Sequence, residues 1–235
     1  MKIIVDLFNQ HSGDLTELNR LALSAFLNGA DAAKIQILNS QRIWGDDTRK
    51  YMEMTFDQVK EFKDYCDQIG IEFLATVFDE EKLEWLDELS VKSYKIASVT
   101  AFKDKKLCDK ILNKNKPTVI SLGMYKPNIF PFGFNNNIKY LHCVSKYPTF
   151  LYDEELKAMP KSFTEESGYY GYSDHSVGTA AATMAYFRGA SILEKHYTHN
   201  INAQNNCEKA HMCSFTPESL YQFKNLIQDL KIING

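Results

Sequence analysis

Short apolar runs alternate along the chain with longer stretches of helical period. Lys2-Ile3-Ile4-Val5-Asp6-Leu7 reads as a strand, after which Leu18, Leu21, Ala22, Ala25 and Phe26 recur on one face of a helix opened by Asp14, with Glu17 three residues on, and closed at Gly29. The same unit returns as an apolar run over 32–37 and a helix over 56–69, where Thr55 and Gln58 have the spacing of a capping box and Gly70 stands at the end. Six further runs, over 71–78, 91–98, 117–123, 138–145, 169–173 and 191–197, bring the predicted strands to eight. Helical patterns lie between most of them. One contains Val177, Ala180, Ala181, Met184 and Ala185, and a last helix begins at Thr216-Pro217-Glu218, with Thr as cap and Pro in the first helical position. Eight strand-helix units predict the α/β class, and within it a single (β/α)8 TIM barrel spanning 1–235 rather than an open doubly wound sheet. One unit is defective: residues 124–136 carry Pro127, Pro131, Gly133 and an asparagine run, which predicts a loop where the helix after strand five should be.

Charge and composition narrow the partners. The 27 basic and 30 acidic residues are interspersed, for a net charge of -3, and no basic stripe is present that could displace counterions from nucleic acid or dock on an anionic membrane. The first apolar run is too short for a signal-peptide core, and no window is apolar enough to span a bilayer. The five cysteines, at 66, 108, 143, 207 and 213, are odd in number and show no C-x-x-C spacing, so they read mostly as small apolar fillers in a reducing compartment. A cytoplasmic protein acting on a small molecule is expected.

A barrel gathers at one mouth the residues that end its strands, however scattered they are in sequence. Polar residues recur at those ends: Asp6, Gln10 and His11; Lys34 and Gln36; Thr76; Lys95 and Ser98; Ser121; His142 and Ser145; Ser173, Asp174 and His175; Glu194 and His196. A single histidine at a strand end is more often a hydrogen-bonded structural residue than a ligand, and a lone strand lysine usually carries its head to water. Joint occurrence changes the weighting. Lys34 and Lys95 each sit between apolar strand residues, which places two ammonium groups at the barrel mouth, where an anion would compensate them. Surrounded by the hydroxyls of Thr76, Ser98, Ser121, Ser145 and Ser173, they suggest a phosphate and carboxylate site. His175 and His196 end adjacent strands roughly 4.8 Å apart and could share one divalent ion. The alternative is that His175 caps a turn and His196 packs inside the barrel, and spacing alone does not choose between them.

The segments NQHSGD (9–14), GADAAKIQ (29–36), GIEFLATVFD (70–79), VKSYKIAS (91–98), KPTVISLGM (116–124), LHCVSKYPT (141–149), GYSDHSVG (171–178) and GASILEKHYT (189–198) resemble, in order and spacing, the sialic acid (N-acetylneuraminate) synthase family. The resemblance covers nearly the whole chain. It implies a (β/α)8 catalytic barrel that condenses phosphoenolpyruvate with N-acetylmannosamine or a related aldose to a nine-carbon 2-keto-3-deoxy acid and phosphate. His175 and His196 match ligands of a manganese (Mn2+) or magnesium (Mg2+) ion. Lys34, Thr76, Lys95, Ser98, Ser145 and Ser173 match phosphoenolpyruvate-binding positions, with Ser121 nearby, and Asp6 takes the place of a glutamate at the reacting centre. The sugar side would fall to Gln36, Thr100 and Glu208. Thr100 stands where the family carries an acidic residue, and Ala210 where it carries an aspartate that Glu208 could replace.

The sequence ends at Gly235, without the antifreeze-like domain that in the family closes the partner's site. A homodimer, a separate capping polypeptide, or a lid formed by 39–54 (with Arg42, Trp44 and Arg49) or by 199–214 is expected in its place. A non-catalytic phosphoenolpyruvate- or sugar-binding barrel and a metal-dependent aldolase or isomerase are the alternative functions.

Overall fold

The computed structural model describes residues 1–8, 10–203 and 210–234. In chain order the elements are β1 (Lys2–Asp6), α1 (Leu15–Leu27), β2 (Ala32–Ile37), α2 (Ser40–Trp44), α3 (Phe56–Ile69), β3 (Glu72–Val77), α4 (Glu80–Glu88), β4 (Tyr94–Ile96), α5 (Ser98–Lys103), α6 (Lys105–Leu112), β5 (Thr118–Ser121), β6 (Ile138–Cys143), α7 (Glu154–Lys157), β7 (Tyr169–Asp174), α8 (Ala180–Phe187), β8 (Ile192–His196) and α9 (Pro217–Asn234). Each strand pairs in parallel with the next, and β8 returns to β1, so the sheet closes as a (β/α)8 barrel.

The helix ends follow local chemistry. Asp14 accepts from the amides of Thr16 and Glu17 at 2.7 and 3.2 Å, satisfying two of the donors that a helix leaves open at its start. Thr55 and Gln58 form the reciprocal capping box of α3, which Gly70 ends in a left-handed conformation (φ 87°) that costs glycine little. Thr216 accepts from the Ser219 amide at 3.2 Å and starts α9. Residues 124–136 run as turns with no helix, as the proline and asparagine pattern predicts.

Two amphipathic readings need correction. Phe26 is 39% exposed, so the buried face of α1 is Leu18, Leu21, Ala22 and Ala25. In the α8 pattern Val177 precedes the helix, Ala180 is exposed and Met184 is 46% exposed, leaving Ala181, Ala182 and Ala185 against the sheet.

Side-chain alternation divides the strands into two faces. The outward face joins the helices in the main apolar core, while inside the barrel Ile4, Ala32, Leu74, Leu141 and Ile192 form one small apolar layer, with Val119 packed against it. Two residues further along, the same inward positions are Asp6, Lys34, Thr76, Ser121, Cys143 and Glu194. The barrel therefore changes from apolar to polar within one residue pair, at the carboxyl ends of its strands. Gly171 supplies the space for this inner layer, because a Cβ there would lie 2.1 Å from the Ile192 carbonyl oxygen on β8.

Candidate active site

Above the apolar layer lies a cavity of about 200 Å3. Its floor is an ion-pair network. Lys34 Nζ sits 2.7 Å from Asp6 Oδ2 and 2.5 Å from Glu194 Oε1, and Lys95 Nζ is 3.3 Å from Glu194 Oε2, with every partner at most 5% exposed. Burial pushes the Lys34 ammonium toward losing its proton, but Asp6 and Glu194 together outweigh it and hold its pKa above the ordinary lysine value. Burial dominates at Lys95, where Glu194 compensates only in part and Lys34 adds repulsion, so its pKa is lowered. Glu194 would be raised by burial, but the two lysines hold it well below the usual carboxylate range. The lysines thus meet carboxylates of the same chain, where sequence alone left an external anion to compensate them. Lys95 is the less tightly paired of the two. It also donates to Ser121 Oγ at 2.8 Å and to the Ile96 carbonyl at 3.0 Å.

Asp6 is a second junction. Besides Lys34, its carboxylate accepts from Gln36 Nε2 at 3.0 Å and from the Phe8 amide at 3.1 Å. Lys34 and His196 flank it in register on β2 and β8.

The two histidines stand on the same cavity wall, with ring centroids 5.8 Å apart. Each directs Nδ1 to a main-chain carbonyl, His175 to Val144 at 2.7 Å and His196 to Phe8 at 2.9 Å. A carbonyl only accepts, so Nδ1 carries the hydrogen and Nε2 keeps the lone pair, the arrangement that orients a metal-binding imidazole. Burial lowers the His196 pKa and favours the neutral, coordinating form. These two donors fit a divalent cation. Among the described residues no group of three His, Cys, Asp or Glu side chains is arranged to hold a metal ion, so its remaining positions would be open to oxygen atoms of water or substrate.

Asp6, Lys34, Gln36, Lys95, Ser98 and Ser121 all line this cavity, as do Ser145, Ser173, His175 and His196. Ser98 accepts from the Gly123 amide at 3.0 Å, and Ser145 is exposed at the rim. Two expected residues do not line it. Thr76 is fully buried inside β3, beside Lys95 in register, and Thr100 is buried within α5; both hydroxyls lack a hydrogen-bond partner. Glu208 lies outside the described residues. Gln10 and His11 are buried off the cavity, and His142 and Asp174 project from the outer face of their strands. Asp174 accepts there from the fully buried Lys195 at 2.7 Å, a pair that ties β7 to β8.

Three wall residues lack an assigned role in the sequence reading. Glu194 shares strand parity with His196, a signal that picks it out once the inward face of β8 is known. Cys143 shares parity with Leu141 and lines the cavity, so it is more than an apolar filler, unlike the buried Cys66, Cys108 and Cys213. Tyr147 comes from the loop after β6, where periodicity gives no signal, and its ring lies 4.0 Å from that of His175. Of the two expected lid segments, 199–214 falls in part outside the described residues, and 39–54 lies beside the mouth. Ile43 and Met52 of the 39–54 segment pack with Phe8, Leu38 and Phe78 beside it, Arg49 stacks 4.3 Å over the Trp44 ring, and none of Arg42, Trp44 and Arg49 lines the cavity.

A closed parallel barrel with a charged cavity at the carboxyl ends of its strands defines the class of (β/α)8-barrel enzymes that build their chemistry on βα loops. Residues 22–235 match the NeuB family, and the chain belongs to that family. It is 29% identical over 261 residues to the N,N'-diacetyllegionaminic acid synthase of Legionella pneumophila, covering 97% of this chain and 71% of that one. It is 31% identical over 223 residues to the N-acetylneuraminate-9-phosphate synthase of Mus musculus, covering 83% and 61%. The chain thus spans 61% to 71% of the length of these curated relatives. Among solved structures, the N-acetylneuraminic acid (sialic acid) synthetase of Leptospira borgpetersenii superposes with a TM-score of 0.81 at 26% identity, covering 99% of this chain and 84% of that chain. No helix among the described residues is long and apolar enough to cross a membrane.

Proposed function

We propose that the chain condenses phosphoenolpyruvate with N-acetylmannosamine or a related amino sugar, giving a nonulosonic acid and phosphate, with a divalent manganese or magnesium ion held by His175 and His196. The observation that carries this reading is the convergence of the less tightly paired Lys95, four serines and two carbonyl-anchored histidines on one cavity of a NeuB-family barrel.

Lys95 would give charge-assisted hydrogen bonds to phosphoenolpyruvate, and Ser98, Ser121, Ser145 and Ser173 would complete its phosphate and carboxylate sites. Lys34, locked between Asp6 and Glu194, would keep both carboxylates in place while the anion enters. When bound, the cation would supply Lewis acidity toward the carbonyl oxygen of the open-chain sugar. C3 of phosphoenolpyruvate forms the new bond to the aldehyde carbon, whose oxygen takes up a proton. Water adds at C2, and phosphate leaves by C–O cleavage. Asp6, whose Oδ2 is 4.0 Å from His196 Nε2, would take the proton of that water. Gln36, which donates to Asp6, would contact the sugar, together with Glu208. A second copy of the chain or a capping polypeptide would shield the mouth from water.

Mixing the chain with phosphoenolpyruvate, manganese and a panel of aldoses tests the reading. Phosphate release that requires both the metal and one amino sugar is expected; no release with any aldose overturns it.

A further inference from the structure

His175 and His196 stand just past the point where their two strands are joined. The register pairing of β7 with β8 runs from Gly171–Ile192 to Asp174–Lys195 and stops one residue short of both imidazoles. His196 is still paired with Asp6 on its other side. His175 has left its strand: its carbonyl accepts from the Thr149 amide at 2.7 Å, and Ser176 bridges to Thr149 in turn. The separation of the two rings is therefore left to side chains.

One side chain spans that gap. Lys195 Nζ donates to Asp174 Oδ2 at 2.7 Å and to the Ser176 carbonyl at 2.6 Å, so it grips the residues on both sides of His175. Asp174 Oδ1 accepts from the Ser176 amide at 2.8 Å and closes the turn from within. Lys195 is also the chain neighbour of His196. The pair has no side-chain exposure, while the rings of His175 and His196 line the cavity with centroids 5.8 Å apart. Lys195 Nζ lies 5.6 Å from the Phe215 ring centroid, within the roughly 6 Å reach of a cation–π contact. The Phe215 amide in turn donates to the His196 carbonyl at 2.7 Å.

A buried ion pair is often no more stabilising than apolar side chains of the same volume, so stability alone does not account for this one. A ring that shares an ion must be held within about 0.5 Å of its place. Here one ammonium fixes the main chain on both flanks of one histidine from the chain neighbour of the other. We propose that Lys195 is a positioning residue: acting through Asp174 and Ser176, it sets His175 against His196 so that their two Nε2 lone pairs reach one divalent cation. The cation rests on the function proposed above; the clamp on the ring separation does not.

Lys195→Met alone would leave Asp174 buried and uncompensated, so the test combines it with Asp174→Asn, which removes both charges and keeps an acceptor for the Ser176 amide. In the intact chain this double variant is expected to bind manganese roughly tenfold more weakly or worse, read from the paramagnetic signal of the free ion, and to shift the visible absorption of bound cobalt. Asp174→Glu keeps both charges but lengthens the reach. It is expected to weaken manganese about threefold or more, which a pair serving stability alone would not do. Ile227→Ala, in the core beneath α9, is the control and is expected to lower the denaturation midpoint with manganese affinity unchanged. Wild-type manganese affinity in both Asp174 variants overturns the clamp, and so does an equal loss in Ile227→Ala, because affinity would then follow stability. If the double variant does not fold, Asp174→Glu decides alone. If the wild-type chain takes no manganese, the cation reading falls, and the metal-free structures still decide the clamp. The 5.8 Å separation of the ring centroids is expected to change by about 1 Å in the double variant, and an unchanged separation overturns the proposal.

Discussion

Asp6 and His196 are register partners across the β1–β8 seam that closes the barrel, with Asp6 Oδ2 4.0 Å from His196 Nε2. A carboxylate placed beside an oriented imidazole can move a proton where that imidazole holds its ligand. Asp6→Asn keeps the shape and the Glu194 pairing of Lys34, and should lower turnover roughly 100-fold or more. Phosphoenolpyruvate affinity should stay within about threefold. Single-turnover phosphate release and calorimetry separate the two quantities.

The two buried lysines should fail in different ways. Lys95 is the weaker internal partner, so Lys95→Ala should weaken phosphoenolpyruvate binding by about 2 kcal/mol, close to thirtyfold in Kd, through loss of charge-assisted bonds. Lys34 compensates two buried carboxylates. Lys34→Ala should therefore show first as lost stability, about 3–5 kcal/mol, because breaking a buried pair leaves uncompensated charge. Chemical denaturation of both variants beside binding isotherms checks the contrast.

For the cation, His175→Ala and His196→Ala should each weaken manganese binding at least tenfold, measured by the paramagnetic signal of free manganese. Retained affinity in both variants would assign the rings to packing.

Acid should destabilise the fold through histidines outside the cavity. Burial holds His11 and His142 at about 4 in the folded chain, against an unfolded value of about 6.5. The unfolded chain binds more protons between those values, so stability is full above about pH 6.5, falls as pH drops, and stops falling on their account below about pH 4. Each contributes on the order of 3 kcal/mol across that window. Thermal unfolding of His142→Phe between pH 7 and pH 4 should show a correspondingly shallower slope.

Gly171→Ala should cost about 3 kcal/mol, because its methyl group meets the Ile192 carbonyl of the neighbouring strand, a backbone atom with little freedom to retreat. Unchanged unfolding would mean that β7 and β8 can separate without loss.

Much of the barrel is written locally. Short apolar runs, the Thr55–Gln58 capping box, the Asp14 cap and the proline-rich break after strand five each depend on neighbours within a few residues, and each appears in the structure where the pattern placed it. Position at strand ends marked Lys34, Lys95, Ser121, Ser173 and His196, which line the cavity, but also His142 and Asp174, which do not; alternation separates the two sets only once the inward face is known. Exposure of Phe26 and Met184 did not follow from helical period, since it depends on what packs against each face.

What only the tertiary structure decided is how the charges are paired and which loops reach the site. Glu194 lies 160 residues from Lys34 in the chain and 2.5 Å from it in space, so nothing local records that the lysines are already compensated. Tyr147 reaches His175 from a loop with no period. Backbone geometry follows from short-range sterics and hydrogen bonds, whereas the state of a buried charge is set by every group that closure of the barrel brings within a few ångströms of it.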